Sequence, residues 1–273
     1  LGHKTFRWNP KMDKFIFGSK NSIHIIDLVQ TLEMANSALI EIHKCIASGG
    51  KILFVSTKKQ ASETIATVAK DTAQFYVNHR WLGGMLTNWN TISNSIKRLK
   101  KLSEDLKEEN TGFTKKENLK MGIQRDKLDR SLGGIADMKK VPDMIFIVDT
   151  NIEELAVKEA VRLNIPIVAI LDTNSDPTGI KYPIPGNDDA RQAIDLYCNL
   201  IKETILDAQK NISPSNISEG KEKNTKKASM MKEEPKKVGA DSKKTKPLKV
   251  EVVKKISKSI FSKVKELTSK KKK

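Results

Sequence analysis

Two groups of side chains in this sequence are of the right type and spacing to do chemistry. The first is cationic and aromatic. Gly2-His-Lys-Thr-Phe-Arg-Trp-Asn-Pro-Lys11 sets Phe6 and Trp8 among Lys4, Arg7 and Lys11, and Asn78–Asn88 places His79, Arg80 and Trp81 beside Gly83-Gly84. Lys and Arg neutralise phosphates, and Trp, Phe and guanidinium planes stack on unpaired bases, so the pattern suits RNA. Lys97, Arg98, Lys100 and Lys101 extend the same chemistry a few residues on. The competing reading is that Trp8, Trp81 and Trp89 anchor loops in a core, and at least one of the three is expected to be buried. The second group is acidic. Asp149 closes one apolar run, Asp172-Thr-Asn-Ser-Asp176 closes the next, and Asn187-Asp188-Asp189 precedes a helical stretch. Clustered carboxylates suit a hard or borderline cation. Aspartates in such places equally satisfy free backbone N–H groups, and spacing alone does not choose.

The elements that must position these groups alternate. Continuous apolar runs at 51–57, 142–149 and 165–172, with a shorter one at 75–77, read as buried strands. Between them, Asp27–Cys45 (Leu28, Leu32, Ala35, Leu39 and Ile42 at helical spacing), 60–70, 153–163 and 188–206 read as amphipathic helices. Strands without polar alternation, separated by helices, predict an α/β fold with a Rossmann-like parallel sheet covered on both faces. One stretch breaks the rhythm. Ile92, Ile96, Leu99, Leu102 and Leu106 keep three-to-four spacing, a loop follows near 110–112, and Met121, Leu128, Leu132 and Ile135 return. That pattern predicts an inserted antiparallel coiled-coil hairpin over about 89–138, an arm that buries little core and serves to touch a partner; the competing reading is that it packs back on the body. The expected domains are therefore an α/β body over 1–208 and a Lys-rich tail over 209–273, mostly disordered, with an amphipathic helix over 248–267.

Charge follows the same division. Of the chain's net +17, the tail holds 21 Lys against 7 acids, or +14, while residues 1–140 carry +10 and residues 141–208 carry −7. A basic tail attracts polyanions without sequence preference, so a tail that alone binds RNA is a reading to be tested. The body is itself polarised, basic before acidic. No run approaches the ~20 apolar residues of a membrane span, and no membrane is expected as partner. Cys45 and Cys198 form no CxxC, which leaves neither a disulfide framework nor a cysteine zinc site. The chain starts at Leu1, so a segment lost before it is expected. The first strand–helix junction, Lys58-Lys-Gln-Ala61, has none of the glycines that admit a pyrophosphate, and neither a P-loop nor a GxSxG elbow occurs. His3, His24, His43 and His79 are scattered. An enzyme or nucleotide-dependent regulator would have to work through the acidic strand ends; that is the competing class.

GHKTFRWNPKM (2–12), IHIIDLVQT (23–31), NHRWLGGMLTNWNTI (78–92), IPIVAILDTNSDP (165–177) and IPGNDDA (184–190) resemble, in order, the ribosomal protein S2 family of bacterial or organellar type. The likeness spans 1–208 and leaves the tail out. It implies a non-enzymatic constituent of the small ribosomal subunit, on its solvent side at the head–body junction. The partners it implies are small-subunit ribosomal RNA and neighbouring proteins, including ribosomal protein S1, whose recruitment brings mRNA. The ribosome would be cytoplasmic, or organellar if a transit segment preceded Leu1. On this chain the RNA candidates become Lys4, Arg7, Trp8, Lys11, His79, Arg80, Trp81, Lys97 and Arg98. No cofactor is required. The divalent ion associated with the family, zinc or magnesium, would fall to Asp172, Asp188 and Asp189.

Overall fold

Five parallel strands make the sheet in a computed structural model that describes residues 1–107 and 114–210. The loop expected near 110–112 and the amphipathic stretch 248–267 lie outside the described residues. β3 (Ile52–Val55), β5 (Met144–Val148) and β6 (Ile167–Leu171) are buried along their whole length, as apolar runs without alternation require. The strand order is β4-β3-β5-β6-β7, with β4 (Phe75–Val77) and β7 (Tyr182–Pro185) at the edges. β7 was not anticipated. Its sequence, Tyr-Pro-Ile-Pro, cannot donate two of its ladder hydrogen bonds, which confines it to an edge. It pairs in register with β6, Ile170 opposite Ile184.

α6 (Arg191–Lys210) packs against both α1 (Leu28–Ala47) and α2 (Lys59–Asp71), and α1 also lies against β7. Asp27 caps α1 as expected, accepting the Val29 N–H at 2.9 Å. The buried face of α1 differs from the expected one. Thr31, Ala38, Leu39, Ile42 and Ile46 turn inward, whereas Leu28 and Leu32 are exposed. The rotation is fixed by Thr31, whose hydroxyl donates to the Pro185 carbonyl at 2.7 Å and sets the helix on the end of β7.

Sheet residues Leu53, Val55, Ile145 and Ile147 share an apolar cluster with α5 (Glu154–Arg162), the loop after β4 and the inserted helices α3 (Trp89–Asp105) and α4 (Lys115–Leu132). A capping box between Thr114 and Glu117 starts α4. The insert is anchored more deeply than expected: Ile92, Ile96, Leu99 and Leu132 belong to the main core. Its outer part is open, with Leu119 and Ile123 exposed. Gly134, just after α4, sits where a Cβ would lie 2.1 Å from the Tyr76 carbonyl oxygen, so only glycine lets this segment close over β4.

A β-hairpin precedes the sheet and was likewise not anticipated: β1 (Ile16–Lys20) pairs antiparallel with β2 (Ile23–Ile26). Its two-residue turn, Asn21-Ser22, has φ of 53° and 60°, both in the left-handed region that hairpin turns use.

Candidate nucleic-acid interface and acidic cluster

The first nine residues run across the carboxyl edge of the sheet. Gly2 N–H donates to the His24 carbonyl (2.9 Å), Thr5 N–H to that of Ser22 (2.9 Å) and Asn9 N–H to that of Thr173 (2.8 Å). His3 N–H reaches the Thr173 hydroxyl at 3.0 Å. A Cβ on Gly2 would lie 2.6 Å from Thr173 Cγ2 and 2.8 Å from Asp172 Oδ1, so glycine is what permits the approach. Lys4 and Arg7 stand exposed with no ion pair among the described residues. Trp8 keeps one part of its ring in solvent and tilts the rest over His24, with centroids 5.7 Å apart. Lys11 is committed within the chain: its ammonium lies 2.9 Å from Asp176 and 2.8 Å from the Thr178 hydroxyl. The Thr178 hydroxyl and that ammonium hold the Asp176 carboxyl at a pKa of about 2.

At the same edge, His79 and Arg80 follow β4 and are exposed. Trp81 beside them is the buried tryptophan, 7% exposed. Its indole N–H donates to Glu159 at 3.1 Å, so its ring is a packing surface and is withdrawn from base stacking. Trp89 packs half-buried against the same core. Glu159, on α5, also accepts the backbone N–H groups of Gly84 (2.8 Å), Leu86 (2.9 Å) and Thr87 (3.1 Å) and the Thr87 hydroxyl (3.1 Å). Partial burial pushes this carboxyl up, but the donors outweigh it and hold the pKa below its ordinary value. One carboxylate therefore shapes the whole loop that presents His79 and Arg80. On α3, Lys97 and Arg98 are exposed, and Arg98 donates across to Gln124 of α4 at 3.2 Å.

The acidic residues do converge. His3, Asp172, Asp188 and Asp189 each place one ligand atom within 4.8 Å of the others. His3 was missed in the sequence, since a contact across about 170 residues leaves no local signal. Asp172 Oδ1 takes the Thr173 N–H. Its Oδ2 lies 3.0 Å from His3 Nδ1 without hydrogen-bond alignment, and both atoms, like Asp188 Oδ2, are buried with no hydrogen-bond partner among the described residues. Lys58, also unforeseen, sits beside them, 2.5 Å from Asp189, 3.1 Å from Asp188 and 3.2 Å from Asp149. Burial alone would lower the Lys58 pKa, but the hydrogen bond to Asp189 and the charge of Asp188 raise it above its ordinary value. Burial, with the Asp149 charge, pushes the Asp188 carboxyl up to about 7 against the pull of Lys58. One imidazole and three carboxylates with buried lone pairs left over form a donor set that fits a borderline divalent cation; the imidazole favours zinc over magnesium. Backbone satisfaction accounts for the neighbouring residues: Asp149 accepts the Asn151 N–H at 3.0 Å, and Asn187 accepts those of Asp189 and Ala190.

The edge is ill suited to a nucleotide phosphate. Glu153 lies 2% exposed and accepts the Thr57 N–H at 2.5 Å, so the chain's own carboxylate fills the junction where a dinucleotide binder receives its pyrophosphate.

A family model described as Ribosomal protein S2 matches residues 1–208. The chain is similar to the small ribosomal subunit protein uS2 of Parvibaculum lavamentivorans, 55% identical over 220 residues that cover 81% of this chain and 86% of that protein. It is 60% identical over 207 residues to uS2 of Phenylobacterium zucineum (76% and 70% covered) and 58% identical over 207 residues to uS2 of Caulobacter vibrioides (76% and 77% covered).

Proposed function

Because the chain belongs to the ribosomal protein S2 family, a structural and non-enzymatic constituent of the small ribosomal subunit, we propose that it is held there by small-subunit ribosomal RNA at the head–body junction. The observation that carries this reading is the edge of the sheet at which the N-terminal segment and the loop after β4 both end. Lys4, Arg7, His79 and Arg80 stand there exposed, without carboxylate partners among the described residues. Trp8 adds a stacking face, and Lys97 and Arg98 continue the cationic surface along the arm, whose helices would form the coiled-coil part of the contact. Lys11 contributes by fixing the segment to Asp176, not by reaching phosphate. The setting is the cytoplasm, with the ribosome.

Phosphate neutralisation by Lys4, Arg7, Arg80, Lys97 and Arg98 gives an affinity that falls roughly one- to five-hundredfold between 50 and 200 mM salt. Filter binding of the full chain to small-subunit ribosomal RNA across that range, with gradient co-sedimentation, tests the reading. A chain ending at residue 208 is expected to co-sediment equally well. Loss of binding on that truncation would transfer the function to the tail, and salt-independent binding would remove the edge from the account.

Exposed Phe17 on β1, with Leu28 and Val29 at the start of α1, supports a protein contact near the hairpin, for neighbours including ribosomal protein S1. Phe17→Asp is expected to leave RNA binding intact and reduce capture of that partner.

A zinc ion at His3, Asp172, Asp188 and Asp189 would relieve an excess of buried negative charge that Lys58 alone does not balance. Zinc at about a hundred times its Kd is expected to stabilise the chain by ~2.7 kcal/mol. Thermal unfolding with zinc, magnesium and chelator reads this, and His3→Ala should abolish the zinc-dependent shift. An unchanged Tm with both metals would leave Lys58 as the sole cation of the cluster.

A further inference from the structure

Counted along the chain, the first and third strands of the sheet, β3 and β5, lie side by side while the second, β4, is outside them. The crevice beyond the carboxyl ends of such a pair is where open α/β sheets take ligands. A cleft of about 180 Å³ opens there, lined by Thr57, His79, Arg80, Ile152, Glu153 and Leu155, with Trp81 behind them. Its lips are of two kinds. Ile152 and Leu155, just before and within the first turn of α5, are apolar yet 53% and 55% exposed. His79 and Arg80, from the loop after β4, add an imidazole ring and a guanidinium plane to the lining. Between them the lining is polar: buried Glu153 takes the Thr57 N–H on one oxygen and is held by the Thr57 side chain as well. A carboxyl at this place offers a phosphate no positively charged donor. A flat, uncharged ring with apolar faces and an N–H edge suits all three surfaces.

We infer that this cleft receives a single unpaired nucleobase, held between the Ile152–Leu155 lip and the His79–Arg80 lip with an N–H edge turned toward Glu153. The inference rests on the RNA-binding reading above and adds a specific pocket to it. Unpaired bases are recognised by stacking on such rings and guanidinium planes and by hydrogen bonds to their edges, and each stacked base contributes ~1–3 kcal/mol. Guanine, with adjacent N–H donors on one edge, is the best match for a carboxylate. The cleft is smaller than the ~300 Å³ at which ordinary ligand pockets begin, a size for one ring system and not a whole nucleotide.

Saturation-transfer NMR of the full chain with guanosine monophosphate tests the pocket, because saturation placed on the methyl protons of Ile152 and Leu155 would pass to a base held against them. Transfer to the base H8 proton is expected, at least tenfold weaker in Leu155→Asp, an exposed position where the change leaves the fold intact. Filter binding to ribosomal RNA is run on the same samples. RNA binding with no transfer, or with transfer unchanged in Leu155→Asp, overturns the pocket and leaves the broader reading standing; loss of both signals in the unmodified chain overturns both. In assembled subunits, Leu155→p-benzoylphenylalanine should crosslink to an unpaired nucleotide. A crosslink to a protein instead would make the cleft a protein-docking site and also overturn the inference.

Discussion

Glu159→Ala is expected to lower the stability of the chain by about 1–3 kcal/mol, the range for leaving partly buried hydrogen-bond donors without their acceptor. Five donors converge on this carboxylate, three of them backbone N–H groups of the loop 84–87 and one the indole of Trp81. With the acceptor gone, the partly buried donors, the Trp81 indole and the Gly84 and Leu86 N–H groups, are left unpaired while those of exposed Thr87 turn to water, and the cost arises from the first three. Glu159→Gln is a sharper test: it keeps the volume but turns an amide N–H₂ toward N–H donors, so it should recover little. Urea unfolding would measure both. The pH dependence follows from the same contacts. The folded-state pKa lies below the ordinary value, so the contribution is fully present above about pH 5 and is lost as acid protonates the group through its lowered pKa. An Ala variant whose stability still fell with acid as steeply as the parent's would show that the effect belongs to other carboxylates. The functional consequence is local: His79 and Arg80 ride on the loop that this side chain holds, so RNA affinity should fall even where the variant remains folded.

Arg7→Glu together with Arg80→Glu is expected to weaken binding to small-subunit RNA by more than a hundredfold at 100 mM salt. Each arginine stands exposed and has no ion pair among the described residues, so neither substitution breaks an internal bridge. Removing a phosphate contact takes about one unit from the salt slope, and a reversed charge adds repulsion to that change. Without either arginine–phosphate pair the slope should flatten by about two units, while circular dichroism and Tm stay as in the parent. The flattened slope distinguishes a missing phosphate grip from mere misfolding. Lys11→Glu makes an instructive contrast. It should weaken binding indirectly, by repelling Asp176 and releasing the segment that carries Lys4 and Arg7. Equal binding by the Arg7/Arg80 pair variant would remove this edge from the interface.

The sheet was readable because β3, β5 and β6 are buried on both faces, and burial on both faces forces an unbroken apolar run. β7 was hidden by its two prolines, and the β1–β2 hairpin by strands of which only Ile26 is fully buried, too little to force an unbroken apolar run. Helix limits came within a few residues, yet the inward face of α1 was misjudged, because periodicity gives a stripe and only the neighbour, here Pro185, decides which part of it is covered. The same limit applied to the candidate site. Trp8 and Trp81 look alike in sequence, and what separates them is Glu159, more than seventy residues downstream. The aspartates at the strand ends were visible, but their two meanings were not separable until Asp149 was seen to hold its own turn and Asp172 to leave an oxygen facing His3. Polar function of this kind is tertiary: it depends on which loops end at one edge, and loops carry no period.

The crossing of the N-terminal segment over the ends of β6 and β7 has a bearing on synthesis. His3 meets Asp172 and Asp189, and Asn187 donates to the Leu1 carbonyl, so residues at the front of the body dock on residues near its end. A chain emerging from the ribosome therefore keeps Lys4 and Arg7 unplaced until nearly the whole body has been made. Completion of the body and readiness to join a new subunit are thereby coupled, and a copy cut short before residue 189 cannot claim a position in the particle.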